Sequence, residues 1–160
     1  IPKYPKIYYT KGINTKFSNI KLFLNKNIDS IKHCNKVDYI LATNEISKKY
    51  PEIILCNEKD YIIEGTSCNI FFIKNNKIFT PNINGYGVEG IMKNIIINIL
   101  KRNGISTKTL NIKKADVRNY DAAFFCNSIR KIWNIRSIGN IKYQNSDLVN
   151  QIKILIEENV

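Results

Sequence analysis

At 160 residues the chain predicts one domain, long enough to bury a core of its own. Its 44% hydrophobic and 24% charged residues argue against disorder, and no apolar run approaches the roughly 20 residues of a membrane span. The net charge of +12 rests on 21 lysines, spread from Lys3 to Lys153, against 4 arginines. A surface built for phosphate would favour Arg and cluster it. Together 31 Ile, 23 Asn and 21 Lys make 75 of the 160 residues, the set that A- and T-rich codons encode. The charge therefore reads as a solvated face, with no nucleic-acid partner. His33 is the single histidine, and Cys34, Cys56, Cys68 and Cys126 lie far apart without a C-x-x-C pair. This pattern argues against a zinc site, Ser-His-Asp hydrolysis and a disulfide framework.

Residues 12–24 read as a strand ending in the polar loop 25–29. A helix is predicted over 35–49, with Val37, Ile40, Leu41 and Ile46 on its buried face and Pro51 just past its end. Short strands follow at 53–56, 61–64, 69–73 and 77–80, the last two joined by Lys74-Asn75-Asn76 as a hairpin turn. Gly85-Tyr86-Gly87 marks a loop. Gly90 then opens a strong helix with Ile91, Ile95 and Ile99 at spacing four, stopped by Asn103-Gly104. Strands are predicted at 106–112, 122–126 and 131–138, and a last helix opens at Asn145 or Ser146 and buries Leu148, Ile152 and Leu155. Strands in groups predict an α+β domain or distorted barrel, with Ile95, Ile99, Phe71, Phe124 and Trp133 in the core.

Four segments could carry chemistry. In Ser30-Ile31-Lys32-His33-Cys34-Asn35, Lys32 stands beside Ile31 at a strand-to-helix junction, where a partly apolar pocket would free its amine to attack a carbonyl. A surface lysine at a turn is the plain alternative. In the run from Ile62 to Phe72, Glu64 ends an apolar strand before the small-residue turn Gly65-Thr66-Ser67. A buried carboxylate needs a partner, either the protonated ring nitrogen of a cofactor or one of the many lysines. Gly85 to Met92 runs straight into a helix, whose free N–H groups suit a phosphate, although Glu89 is unfavourable there unless it points away. Finally, Asn127-Ser128 follows a buried strand, as a plain turn or as a ligand contact.

In this order and spacing the segments resemble the fold-type IV (class IV) pyridoxal-phosphate enzymes, over nearly the whole chain from about Gly12. Ile31 to Asn35 is similar to the family's cofactor-lysine segment, and Glu64-Gly65-Thr66 through Asn69-Ile70-Phe71 to its E-G-T-x-S-N-[LI]-F signature. Gly87 to Lys93 is similar to its G-[VI]-x-G-I-[MT]-R helix start. Within the family, Lys32-His33-x-Asn35 and the stretches Cys126 to Ile129 and Trp133 to Arg136 are most similar to aminodeoxychorismate lyase. Departures are Val37 where branched-chain enzymes carry Tyr, Cys68 for Ser, Lys93 for Arg and Asn134 for Pro.

The resemblance implies an α+β fold, a curved and mostly antiparallel pseudobarrel sheet with flanking helices. It implies pyridoxal 5'-phosphate as cofactor, bound covalently by Lys32, with Glu64 at the ring nitrogen. The amides of Ile91 and Met92 and the side chains of Asn127 and Ser128 would grip its phosphate. It implies a cytoplasmic homodimer, without a membrane partner, that converts 4-amino-4-deoxychorismate to 4-aminobenzoate and pyruvate. A transaminase of amino acids on the same scaffold, an inactive remnant or a basic binding module are the alternatives. The residues matched correspond to a C-terminal domain. The family's smaller N-terminal domain, of roughly a hundred residues, supplies a phosphate arginine and a pocket wall. Residues 1–160, a single domain beginning at Ile1, are expected to lack both and to bind the cofactor poorly on their own.

Overall fold

The computed structural model describes residues 4–24, 34–83 and 85–159. A short helix α1 (Lys6–Thr10) leads into β1 (Ile13–Leu22), and α2 (Val37–Thr43) crosses to β2 (Glu52–Asn57) and β3 (Ile62–Gly65). A hairpin of β4 (Asn69–Lys74) and β5 (Lys77–Pro81) precedes α3 (Ile91–Arg102) and β6 (Thr107–Leu110). After a 3-10 turn (Lys114–Asn119) come β7 (Ala122–Asn127), β8 (Lys131–Ile138), β9 (Ile141–Lys142) and α4 (Asp147–Asn159). No described helix is long and apolar enough to cross a membrane.

The strands form one sheet in the order β3-β2-β1-β8-β7-β4-β5-β6, with β9 on β8. Antiparallel pairs are in the majority, as expected, but the sheet is mixed: β1 runs parallel to both β2 and β8, and β5 parallel to β6. Parallel neighbours need a crossover, and α2 and α3 lie in the connections from β1 to β2 and from β5 to β6. Curvature follows from connectivity. In a flat sheet β3 and β4, five places apart, would lie roughly 24 Å from each other. Yet only Thr66, Ser67 and Cys68 join them, with Gly65 N donating to Cys68 O at 2.6 Å. Four backbone steps reach at most roughly 14 Å. The sheet must curl into a half-barrel.

Both faces of the sheet are covered, which is why β2, β4 and β7 read as continuous apolar runs and not as alternations. On one face Phe71 and Phe124 stack at 4.9 Å beneath α3 and α4, with Ile96, Leu100, Val149 and Ile152 wholly or almost wholly buried. On the other, Phe72, Phe125 and Trp133 pack with Ile54, Ile70 and Val117, and the edges of Tyr4 and Tyr8 close over the indole. Phe71, Phe124, Trp133 and Ile99 are buried as expected. The Asn75-Asn76 hairpin turn has φ of 49° and 57°, the left-handed geometry that matches strand twist and that Asn tolerates.

Two helix faces differ from expectation. In α3 the inward residues are Met92, Ile96, Ile99 and Leu100, while Ile95 is half-buried and Ile91 is 71% exposed. The run Ile95-Ile96-Ile97 offers two overlapping apolar stripes, and packing under β4 and β7 selects the one containing Met92 and Leu100. In α2, Val37, Ile40, Leu41 and the following Ile46 face solvent, and Ala42 is the helix's one buried residue. This helix also stops at Thr43, six residues before the predicted end. Glu45 beyond it is drawn to β1, accepting from Ser18 Oγ at 2.6 Å, Asn19 N at 3.0 Å and Lys16 Nζ at 2.9 Å. In α4, Leu148 and Ile152 are buried as predicted, joined by Val149 and Ile156, with Leu155 half-buried. The α3 phase is open to test by urea unfolding: Ile96→Ala should cost about 2–5 kcal/mol and Ile91→Ala less than about 0.5 kcal/mol.

Candidate active site

Glu64 ends β3 opposite Leu55 of β2 and is only 4% exposed. Three donors from three elements converge on its carboxylate. The Tyr39 phenol of α2 donates to Oε1 at 2.5 Å, and the Val88 amide to the same oxygen at 3.1 Å. The Asn69 amide at the start of β4 donates to Oε2 at 3.0 Å and also to the Val88 carbonyl at 3.0 Å. Among the described residues Glu64 makes no ion pair. Burial is the main influence on its acidity and pushes the carboxyl up to about 7. The Tyr39 and Val88 hydrogen bonds and the charges of Lys36 and Lys93 pull the other way.

Two glycines bring the loop before α3 onto this carboxylate. A Cβ on Gly87 would stand 2.8 Å from Ile63 Cγ2 and 3.1 Å from Glu64 Cδ. One on Gly90 would stand 1.9 Å from Asn69 Oδ1, displacing the amide that holds Glu64. The Glu64–Asn69 segment and the Gly87–Gly90 segment are therefore one structure, although they are far apart in sequence.

Gly90 is the extended N-cap of α3, with no side-chain cap, and its carbonyl receives the Asn94 amide. The Ile91 and Met92 amides are the first of the helix and have no intrahelical acceptor. Glu89 does not spoil this anion-suited end. Its carboxylate pairs with Lys93 Nζ at 3.1 Å, and the lysine side chain is 4% exposed against 47% for the glutamate. The pair is neutral overall, so the positive potential at this helix start is that of its free amides.

Asn127 and Ser128 lie just past the Asn69–Cys126 pairing, so the end of β7 reaches the same end of the sheet. The Asn127 side chain is committed to its turn: Nδ2 donates to Ser67 O at 2.9 Å, and Oδ1 accepts from the Ile129 and Arg130 amides. Ser128 is exposed. Lys32 lies outside the described residues, as does His33; the chain after them enters α2 and returns to Glu64 through Tyr39.

Sequence reasoning missed Tyr39, Asn69 as a ligand of Glu64, and a second buried carboxylate. Glu52, 0% exposed, accepts from Thr66, from Ser67 Oγ at 2.7 Å, from Cys68 Sγ at 3.3 Å and from Arg130 at 2.5 Å. The Arg130 guanidinium is held between the Tyr4 and Trp133 rings, 4.7 and 4.6 Å from their centroids. The hint was a Glu at the head of an apolar strand, the same signal that singled out Glu64. A polar groove of about 650 Å³ between Asn76, Asp121 and Gln151 is at the other end of β4 and β7, away from these carboxylates, and its ionisable residues are exposed. Among the described residues, no group of three His, Cys, Asp or Glu side chains could hold a metal ion.

A family model described as amino-transferase class IV matches residues 8–138, and the chain belongs to that family. Its members use pyridoxal phosphate. The aminodeoxychorismate lyase of Vibrio harveyi is 26% identical over 129 residues, 80% of this chain and 48% of that protein. A probable branched-chain-amino-acid aminotransferase of Aquifex aeolicus is 30% identical over 110 residues, 68% of this chain and 35% of that protein. Among solved structures, the 4-amino-4-deoxychorismate lyase of Pseudomonas aeruginosa superposes with a TM-score of 0.94 at 20% identity, covering 99% of this chain and 59% of that one. The chain thus spans about half the length, or less, of the two curated relatives.

The weakened acidity of Glu64 has a defined consequence for stability. Between about pH 4.5 and 7 the folded chain keeps a proton that the unfolded chain has lost, so stability falls as pH rises through that window and levels off above it. The Glu64 contribution amounts to about 3 kcal/mol. Urea unfolding of wild type and Glu64→Gln across this range should show the fall only in wild type. Parallel curves would mean that Glu64 ionises as freely as in water.

Proposed function

We propose that this chain binds pyridoxal 5'-phosphate and serves the conversion of 4-amino-4-deoxychorismate to 4-aminobenzoate and pyruvate, a step that supplies folate synthesis. The observation that carries the reading is the Glu64 carboxylate, buried among neutral donors and, among the described residues, without an ion pair. From the described residues its Oε1 accepts two hydrogen bonds and its Oε2 one, which leaves Oε2 capacity for another. The residues present fit the cofactor: a ring N–H⁺ would give this oxygen a charge-assisted bond and offset the desolvation that now pushes Glu64 up to about 7.

When bound, the cofactor supplies an electron-withdrawing ring that lets the amine-bearing carbon of the substrate lose a proton. Lys32 in this reading binds the cofactor covalently. Its free amine would take that proton and deliver it to the methylene carbon of the enolpyruvyl group, whose ether bond to the substrate ring breaks as pyruvate leaves. Glu64 keeps the ring nitrogen protonated. The Ile91 and Met92 amides would receive the phosphate, with Glu89 drawn aside by its pairing with Lys93. Ser128 can add its hydroxyl, while Asn127 shapes the turn that presents it. The reading extends to a homodimer.

A transaminase is the second reading, favoured by the higher identity of the Aquifex aeolicus relative. Both readings place the same residues around the cofactor and differ in where the proton is delivered. Purified chain titrated with pyridoxal phosphate, to concentrations high enough to offset the weak binding expected of residues 1–160 alone, should develop the visible absorbance of lysine-bound cofactor, which Lys32→Ala abolishes. Glu64→Gln should weaken binding about ten- to a hundredfold, the worth of one hydrogen bond to a charged group. Release of 4-aminobenzoate supports the lyase, whereas consumption of an added α-keto acid supports the transaminase. Identical spectra for wild type and Lys32→Ala would sink both.

A further inference from the structure

We infer that Tyr39 is a positioning residue of this site: its phenol holds Glu64 through Oε1, leaving Oε2 to the ring nitrogen. The inference rests on the reading that Glu64 serves a pyridine nitrogen.

The geometry around Glu64 is asymmetric. Among the described residues, Oε1 receives both the Tyr39 phenol at 2.5 Å and the Val88 amide at 3.1 Å, while Oε2 receives Asn69 alone, at 3.0 Å. A carboxylate oxygen offers about two acceptor positions, so the phenol fills Oε1 and directs the remaining capacity to Oε2. The Tyr39 oxygen also lies 3.4 Å from the Tyr86 carbonyl, which keeps it over the loop before α3.

α2 packs on the sheet through Ala42 and Tyr39, beside Leu22, Leu55 and Ile63. Ala42 is its one buried residue, and Val37, Ile40 and Leu41 face solvent. The phenol–carboxylate bond adds a polar tie between this helix and the sheet. Packing alone would be served by a phenylalanine; the hydroxyl is what reaches the carboxylate.

The surrounding charges keep Tyr39 a donor. Burial and then the Glu64 charge hold its phenol far above the ordinary range, so its proton stays in place. The Lys36 ammonium sits over the Tyr39 ring, 4.1 Å from its centroid, and polarises the phenol towards stronger donation. Glu64 faces Lys36 and Tyr39 from α2 and Lys93 from α3, with Glu89 paired to Lys93 and Asp38 acting on Lys36 and Tyr39.

The test compares pyridoxal phosphate with the analogue whose ring nitrogen is replaced by C–H, which cannot use Glu64. Tyr39→Phe should weaken binding of the true cofactor about tenfold and of the analogue less than about twofold. In the ligand-free chain, carbon NMR of labelled glutamate should show Glu64 titrating about one pH unit higher in Tyr39→Phe. Placing 3-fluorotyrosine at position 39, a stronger donor of nearly the same shape, should move that titration lower and covers the case in which the phenylalanine variant does not fold. Equal losses for both ligands, or a Glu64 titration that neither substitution moves, would overturn the role of Tyr39. If wild type binds both ligands equally, the assignment of Glu64 to the ring nitrogen falls, and the inference with it.

Discussion

A carboxylate buried without a cation must be solvated by the protein itself, and that requirement organises one end of this molecule. Leaving such a group unpaired would cost several kcal/mol. Glu64 is therefore met by a phenol from α2, a side-chain amide from β4 and a backbone amide from the loop before α3. The loop reaches it because Gly87 and Gly90 are bare: any Cβ there would strike Ile63 or Asn69. Those contacts in turn place the N-terminus of α3 beside the carboxylate. One electrostatic demand thus explains why two glycines, an asparagine and a tyrosine from distant segments meet.

The same short turn carries a second buried carboxylate that meets the demand differently. Glu52 is neutralised by Arg130, itself clasped by two aromatic faces, and takes further hydrogen bonds from all three turn residues, Thr66, Ser67 and Cys68. With its lone pairs occupied it is a structural pair, fixing the β3–β4 turn against the β7–β8 turn. Removing one partner of such a pair is costly because the other stays buried. Glu64, by contrast, is hydrogen-bonded but electrically open. That difference separates the carboxylate that shapes the scaffold from the one suited to receive a charged ligand.

Membership of the class IV aminotransferases joins relatives named as lyase and as aminotransferase on one scaffold. In the proposed reading Glu64 and the start of α3 act on the cofactor side of the chemistry, which both kinds of relative share. Neither selects the substrate carbon skeleton.

Strand positions were legible in the sequence because each is a short apolar run bounded by polar or glycine turns; those of β2, β4, β5, β7 and β8 fall within a residue of expectation. Glu64 and the Gly87–Met92 helix start were legible for the same reason, as residues that break the apolar pattern. The parallel neighbours of β1 were not, since pairing is settled by crossover connections and not by composition. The inward faces of α2 and α3 also depended on tertiary structure. With 31 isoleucines almost any phase of a helix has an apolar stripe, and only contact with β4, β7 and Glu64 chooses among them. Tyr39 illustrates the limit best. In the sequence it is one of nine tyrosines, and it becomes a site residue only because the curled sheet presents a buried carboxylate to its hydroxyl.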